Sequence, residues 1–373
     1  MKKIILTSLA LNLICAAGVY AQETVVNEQP DVKLSVEQTS VQEPVEVKPV
    51  ADKKVVKNIY YPILNMLGEY KNEIKAVYTE IDGILTPENK RGEVFSDDVH
   101  KAVFELKENN IPLILATGRT FREAKRAANA LNITPEYYIT QNGAEIVDSE
   151  GNLISEETID NYTLYKINSE VKWFNYYYNQ DLRITFNYRC QVYSYRGIKV
   201  PDLIDVPVLV DKFSELPNDM NVSKVRVYGV NEVNLENFKR YMIKYYPNLN
   251  VENATKHSLE FTSKKATKAN AIKVLAAKTG IDLCNSAVFG YYQPDVELLN
   301  MVRENGGLSI SSKDSKQQVK EESLYITKDY DNDGFAFAIQ NILGNNKILK
   351  DETLEVENST IDAELPPKKV EVQ

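Results

Sequence analysis

The feature that most constrains the fold is a short apolar segment that ends in two acids. Residues 76–79 read Ala-Val-Tyr-Thr, and Glu80, Asp82 and Gly83 follow directly. Carboxylates at the end of such a segment, with a glycine beside them, are suited to hold a metal ion and a phosphate group. The segment therefore predicts a strand that delivers a phosphate-handling site.

Helix and strand patterns alternate after this segment. Ser96 is a good helix N-cap, and the apolar residues behind it recur on one helix face: Val99, Ala102, Val103 and Leu106. The continuous apolar run from Ile111 to Ala116 suits a parallel strand covered on both faces, and a second helix precedes another strand at residues 137–140. This alternation predicts a doubly wound α/β sheet, in which ligands bind at the carboxyl ends of the strands.

The core pattern is interrupted once. At Ala144 a hairpin pattern begins, and alternating strands and two helices continue to about residue 262. The core pattern resumes with the helix after Ala266 and with the strand at residues 286–289. We therefore predict a discontinuous core, residues 58–143 and 263–343, with an α+β cap inserted at residues 144–262.

Polar residues follow the predicted core strands at the points where a ligand would bind. The segment Thr117–Arg119 comes after the second strand, and Gln141–Gly143 comes after the third. Lys268 opens the helix that follows the insert, and Asp295 comes after the fourth strand. Taken singly, Thr117 is typical of a helix cap and Lys268 of a solvated side chain. Their order along the chain instead indicates one site, in which N–H groups at a helix N-terminus hold an anion.

Read in order, these segments resemble the four signature motifs of the haloacid dehalogenase superfamily. The segment Gln141–Ala144 resembles the turn that leads into the cap of its Cof-type members, and the resemblance covers about Lys75 to Leu343. It implies a Rossmann-like core with an inserted α+β cap. It also implies a phosphatase that acts on a small phosphorylated metabolite, with Mg²⁺ as its cofactor.

The resemblance further implies a role for each residue. Glu80 stands at the place of the nucleophilic aspartate and Asp82 at the place of the acid/base aspartate, while Thr117 and Lys268 would contact the phosphate. The implied substrate-binding residues are Gly118, Arg119 and Asn142, and the implied metal ligands are Glu80, Asp82 and Asp295.

Two of the four motifs depart from the family pattern. Glu80 carries one methylene more than the usual nucleophile, and a misplacement of about 1 Å can cost on the order of 100-fold in rate. Tyr291 stands where the family has a magnesium-binding aspartate, and Pro294 stands where it has an asparagine. Because Mg²⁺ requires near-octahedral oxygen ligands, these changes predict weak or absent magnesium binding.

The motifs leave three functions open. The first is an impaired or inactive relative that keeps a phosphate-binding cleft, and the second is a working magnesium-dependent phosphatase of small phosphorylated metabolites. The third is an envelope interaction protein that uses the tyrosine-rich cap as its surface. The tyrosines concerned are Tyr176, Tyr177, Tyr178, Tyr188, Tyr193 and Tyr195.

The two ends of the chain carry other signals. The first 21 residues, with Lys2 and Lys3 before an apolar stretch, fit a secretory signal peptide cleaved after Ala21; the alternative is a retained membrane anchor. Residues 22–57 and 344–373 show no sustained helix or strand period and are predicted to be a disordered tether and tail. The expected location is the periplasm or the cell exterior, without a membrane span after cleavage.

Charge and cysteine content limit the partners. The formal net charge is -9, and loss of Lys2 and Lys3 would change it to -11. Such an acidic chain repels nucleic acid and anionic membrane surfaces. Cys190 and Cys284 would remain in different predicted domains, where two lone thiols are favoured over a disulfide.

We expect protein recovered from native cells to begin at or near Gln22, because a charged start, an apolar middle and the ending Val-Tyr-Ala form a cleavable signal. N-terminal sequencing of the envelope and culture fractions measures this directly. Recovery of chains that still begin with Met1 would contradict export by cleavage.

Overall fold

The computed structural model describes residues 70–87, 94–195, 207–212, 215–217 and 219–364, with side chains up to residue 353. The predicted signal peptide and the tether at residues 22–57 lie outside the described residues. Among the described helices, none combines the length and the apolar character that a membrane span needs.

Strands and helices of the described residues are numbered here in chain order. The strands are β1 (Ala76–Thr79), β2 (Leu113–Ala116), β3 (Tyr137–Thr140), β4 (Glu145–Asp148), β5 (Leu153–Glu156), β6 (Arg183–Tyr188), β7 (Gln191–Tyr195), β8 (Val208–Val210), β9 (Lys224–Tyr228), β10 (Leu249–Thr255), β11 (Ser258–Ser263), β12 (Ser286–Gly290), β13 (Leu308–Ser312) and β14 (Tyr325–Thr327). The helices are α1 (Asp97–Glu108), α2 (Phe121–Ala130), α3 (Asn161–Tyr178), α4 (Glu232–Tyr245), α5 (Lys268–Thr279), α6 (Val296–Glu304), α7 (Gln317–Glu322) and α8 (Gly334–Glu364).

An eight-stranded sheet forms the core, in the order β14-β13-β12-β1-β2-β3-β4-β5. The six strands from β14 to β3 are parallel, and β1 lies between β12 and β2. Apolar residues of α1, α2 and α8 pack on one face, and those of α5 and α6 pack on the other. The predicted doubly wound α/β fold is confirmed, and its central strand is the one that ends at Glu80.

The cap is a second sheet of six strands, in the order β10-β11-β9-β6-β7-β8. Helices α3 and α4 cover one face, where they share an apolar cluster with alternate residues of the strands, such as Val225 and Val227 of β9. The opposite face carries the residues between them, among which Lys224 and Glu260 are buried. A buried polar face needs partners, and it finds them across the cleft from the core.

The predicted boundary between core and cap at residue 144 is corrected by the sheet. Strand β4 pairs with β3 in antiparallel register, Thr140 opposite Glu145, and β5 then pairs with β4. The hairpin was predicted correctly, but a tight turn at residues 141–143 folds it back onto the core sheet. The cap therefore begins after Glu156 and not at Ala144.

The predicted start of the disordered tail at residue 344 is also corrected. Helix α8 continues to Glu364, and Asn346 is buried. Its side-chain amide accepts a hydrogen bond from Ile74 N at 2.9 Å and donates one to Ile74 O at 2.8 Å. These two bonds satisfy the backbone just before β1, and they explain why a polar segment remains helical here.

Replacing Asn346 by leucine is expected to lower the free energy of unfolding by about 2–4 kcal/mol, because the N–H and C=O of Ile74 would both lose their partner in a buried place. Urea unfolding followed by circular dichroism measures the change. Asn341→Leu on the same helix is the matched control, since the Asn341 side chain bonds only to Phe337 O of its own helix. Equal losses in the two variants would contradict this role of Asn346.

Candidate active site

The residues predicted from the strand ends meet at the carboxyl edge of the core sheet. Glu80 follows β1 directly, Thr117 follows β2, and Asp295 lies in the turn after β12. Lys268 occupies the first position of α5, where the side chain of Thr267 caps the helix. All four side chains are buried. The structure thus brings together, at one edge, residues that are more than 200 positions apart in the chain.

Lys268 lies between two carboxylates. Its Nζ donates a hydrogen bond to Glu80 Oε2 and another, of 2.6 Å, to Asp295 Oδ1. Burial alone would lower the pKa of Lys268, but the charges of Asp295 and Glu80 raise it above its usual range. Lys268 is therefore held as a cation at the centre of the site.

The remaining carboxylate oxygens of this cluster are also bonded. Glu80 Oε1 accepts a hydrogen bond from Ile81 N at 2.9 Å. Asp295 Oδ2 accepts two, from the backbone N–H groups of Tyr291 and Tyr292, both at 2.8 Å. Burial raises the pKa of Glu80, and the nearby carboxylates of Asp295 and Asp82 add to this effect against the opposing charge of Lys268. Glu80 thus takes up a proton more readily than an ordinary glutamate does.

Asp82 is held by the other cation of the site. Arg119 donates to it with both arms of its guanidinium, Nε to Oδ2 at 2.9 Å and Nη2 to Oδ1 at 2.6 Å. Both side chains keep some exposure, 16% for Arg119 and 27% for Asp82. Because the pair is bidentate, Arg119 must swing away before Asp82 can exchange a proton with a ligand.

Tyr291 fills the space that its aspartate counterpart would leave open. A Cβ built on Gly83, whose φ is +83°, would lie 2.4 Å from the ring of Tyr291, and Tyr291 itself is buried. The oxygens of Glu80 and Asp295 are already committed, and no group of three or more potential ligands in the described residues could hold a metal ion. Mg²⁺ is usually held by one or two carboxylates together with water and substrate phosphate, and Glu80 and Asp295 would have to share their oxygens between such an ion and Lys268.

The loop after β2 and the turn after β3, which lie beside the acids, contact each other closely. Thr117 Oγ1 accepts a hydrogen bond from Arg119 N at 3.2 Å, and Thr117 O accepts one from Asn142 N at 3.0 Å. Gly143, with φ +94°, lies so close to the start of α5 that an added Cβ would be 2.3 Å from Thr267 O. The loop after β2, the turn after β3 and the helix that carries Lys268 are therefore fixed as one unit.

The structure also shows a contact between cap and core that the sequence analysis did not predict. Lys224 of β9 donates to Gly118 O in the core and to Glu260 Oε1 in β11, both at 2.9 Å. Arg226 Nη2 also donates to Glu260 Oε1, and Asn142 Nδ2 lies 3.5 Å from Glu260 Oε2. We call Lys224, Arg226 and Glu260 the latch. Asn142, which is predicted to bind substrate, thus lies beside the latch.

The signal for the latch was present in the strand pattern. Strand β9 reads Lys-Val-Arg-Val-Tyr, so that Lys224 and Arg226 share the face opposite to the valines. The register pairs Arg226 with Glu260 on the neighbouring strand. Burial would raise the pKa of Glu260, but Arg226 and Lys224 lower it to about 2.

The chain is similar to known proteins in sequence and in fold. A sequence profile of haloacid dehalogenase-like hydrolases matches residues 77–339. A protein of Streptococcus pyogenes is 26% identical over 276 residues, which cover 72% of this chain and 97% of its own. The 5-amino-6-(5-phospho-D-ribitylamino)uracil phosphatase of Bacillus subtilis is 25% identical, with 72% of this chain and 95% of its own covered. A haloacid dehalogenase-like hydrolase structure from Bacteroides thetaiotaomicron superposes with a TM-score of 0.60 at 20% identity, over 72% of this chain and 100% of its own.

The latch should make stability depend on pH in the acid range. The pKa of Glu260 is lower in the folded chain than its ordinary 4.5, so its contribution is present above that value and is lost as the pH falls towards about 2. Urea unfolding between these limits measures it. Glu260→Gln should be less stable than the wild type at neutral pH, and the difference should shrink as the pH falls. A difference that stays constant with pH would show that Glu260 is not ionised in the latch.

Proposed function

The chain belongs to the haloacid dehalogenase-like hydrolases, and we propose that it binds a small phosphorylated ligand between core and cap but hydrolyses it far more slowly than intact members do. The binding elements are the loop Thr117–Arg119 at the N-terminus of α2 and the cationic side chain of Lys268. The export predicted from residues 1–21 would place this function in the periplasm or outside the cell.

The observation that supports the proposal is the sharing of Lys268 by Glu80 and Asp295. A nucleophilic carboxylate must present an oxygen lone pair to phosphorus, and both oxygens of Glu80 accept hydrogen bonds that lower their nucleophilicity. Phosphoryl transfer also depends on charge compensation at the transferred group. Here Lys268 and Arg119 compensate the acids of the protein itself.

The charges of the site indicate how an anion could still bind. Three carboxylates, on Glu80, Asp82 and Asp295, face two cations, on Lys268 and Arg119. Adding a phosphate dianion increases the excess of negative charge, so binding favours the uptake of a proton by the protein. Glu80 is the group whose buried position favours that proton. A protonated Glu80 leaves Lys268 paired with Asp295 alone, so that more of its charge can act on the ligand, and a protonated Glu80 is at the same time a poor nucleophile.

The runner-up function is a working phosphatase. It is favoured by the resemblance to the Bacillus subtilis phosphatase and by the retained Asp82, Thr117 and Lys268. The proposed envelope surface has less support, because its six tyrosines divide into two groups. Tyr176, Tyr177 and Tyr178 are exposed on α3, whereas Tyr188, Tyr193 and Tyr195 pack against the apolar cluster of the cap.

Hydrolysis of p-nitrophenyl phosphate tests the catalytic part of the proposal. We expect turnover on the order of 100-fold or more below that of an intact family member, and little response to added Mg²⁺. The double variant Glu80→Asp with Tyr291→Asp should gain magnesium-dependent turnover beyond that of either single variant, because the two changes act on the same small volume. Brisk magnesium-dependent turnover of the unaltered protein, abolished by Asp82→Asn, would instead establish the phosphatase.

Sulfate binding tests the ligand part, since sulfate remains a dianion from about pH 5 to 8. Its affinity should rise as the pH falls, by up to about tenfold per pH unit for one coupled proton. Titration calorimetry at several pH values measures this. Glu80→Gln, which mimics the protonated acid, should bind sulfate without this pH dependence, while Glu252→Gln, another acid whose pKa is raised by burial, should keep it. No sulfate binding at any pH would contradict the proposal.

A further inference from the structure

A pocket of about 410 Å³ lies outside the catalytic cleft, at a place where core and cap meet. One wall is α2 of the core, a second is the turn between β4 and β5, and a third is the turn between β6 and β7 of the cap. The lining residues that matter here are Arg122, Lys125, Arg126, Gly151, Cys190 and Gln191. Its volume lies within the range of small-molecule sites, roughly 300–1,000 Å³.

The pocket is cationic although the chain as a whole is acidic. Arg122, Lys125 and Arg126 lie at positions i, i+3 and i+4 of α2 and therefore share one side of the helix. Glu150 is the one acidic residue that lines the pocket within the described part of the chain. Three cations against one acid contrast with the formal net charge of -9 for the whole chain.

Lys125 is already held in position on this wall. Its Nζ donates to Ser149 O at 3.0 Å and lies 5.4 Å from the centre of the Phe121 ring. Phe121 in turn is packed closely against Gly151, whose φ is +100° and whose added Cβ would be 2.9 Å from the ring. The β4–β5 turn and α2 therefore form one rigid wall, and the side chain of Lys125 needs little further ordering to meet a ligand.

The cap supplies the third wall through the tight turn between β6 and β7. Arg189 and Cys190 have φ values of 47° and 60°, the left-handed pair that a two-residue hairpin turn requires. Cys190 packs against the apolar cluster of the core, and its Sγ lies 3.9 Å from Glu145 Oε2. The complete pocket thus exists only while the cap is docked.

We propose that this pocket binds a small polyanion of the diphosphate type, which ties α2 of the core to the β6–β7 turn of the cap. Guanidinium groups hold phosphate oxygens through paired N–H donors, as Arg122 and Arg126 could here, and the ammonium of Lys125 adds a point charge on the same wall. Because the ligand contacts a wall from each domain, it binds the docked arrangement better than the open one. It therefore shifts the chain towards docking.

Titration calorimetry with inorganic pyrophosphate tests the pocket on the full chain. The double variant Arg122→Gln with Arg126→Gln should bind at least tenfold more weakly than the wild type. The matched control, Lys273→Gln with Lys278→Gln on the exposed side of α5, removes the same charge and should bind as the wild type does. Equal affinity of the α2 variant and the wild type, or no binding at all, would overturn the proposal.

Alkylation of Cys190 locates the bound anion. The Cys190 thiol is half-buried and burial raises its pKa to about 12, so it reacts slowly and chiefly when the cap opens. Pyrophosphate should slow its reaction with iodoacetamide several-fold, measured by peptide mass spectrometry, without changing that of Cys284. Sulfate at equal ionic strength should have a smaller effect. Unchanged reactivity of Cys190, or an equal effect on both thiols, would place the anion elsewhere and refute the bridging role.

Discussion

The buried ammonium of Lys268, shared between Glu80 and Asp295, is the interaction on which the rest of the site depends. Each of these charges loses its hydration on burial, a cost of several kcal/mol per ion, and only mutual pairing offsets it. The pairing joins the end of β1, the start of α5 and the turn after β12, which are separate segments of the core. The same bonds that stabilise the fold occupy the atoms that phosphoryl transfer would use. Stability and catalysis therefore compete for one set of oxygens.

The cap contains a similar buried charge cluster with the signs reversed, one carboxylate between two cations. Its sheet buries Glu260 between Lys224 and Arg226, and Lys224 extends the network to the carbonyl of Gly118 in the core loop. The latch holds the cap over the cleft through a backbone group that any loop sequence would supply. Opening the cap would return both Lys224 and Gly118 O to water. The closed form thus contains a polar contact of Lys224 with Gly118 O, beside the apolar contact of Cys190 with the core.

The fold and the position of the site were predictable because they rest on local patterns. Apolar runs of four to six residues identified β1, β2 and β12, and parallel strands necessarily bring their carboxyl ends to one edge. The β4–β5 hairpin was recognised but assigned to the cap, since pairing with β3 depends on the turn at residues 141–143. The extended part of α8 contacts the segment before β1 through Asn345, Asn346 and Lys350. Contacts between distant residues of this kind carry no periodic signal.

Tyr291 shows why the two departures from the family pattern belong together. Its ring lies against Gly83, which follows the acids at the end of β1. Its backbone N–H donates a hydrogen bond to Asp295 Oδ2. An aspartate at position 291 would leave a void over Gly83, while Asp295 would stay engaged with Lys268 through its other oxygen. An aspartate at position 80 would be shorter and would loosen the bond to Lys268, freeing that cation for Asp295 or for a ligand. Each change alters the partner set of the other, because both act through Lys268 and Asp295. The site is therefore one coupled charge network, in which a change at residue 80 or 291 alters the partners available to the others.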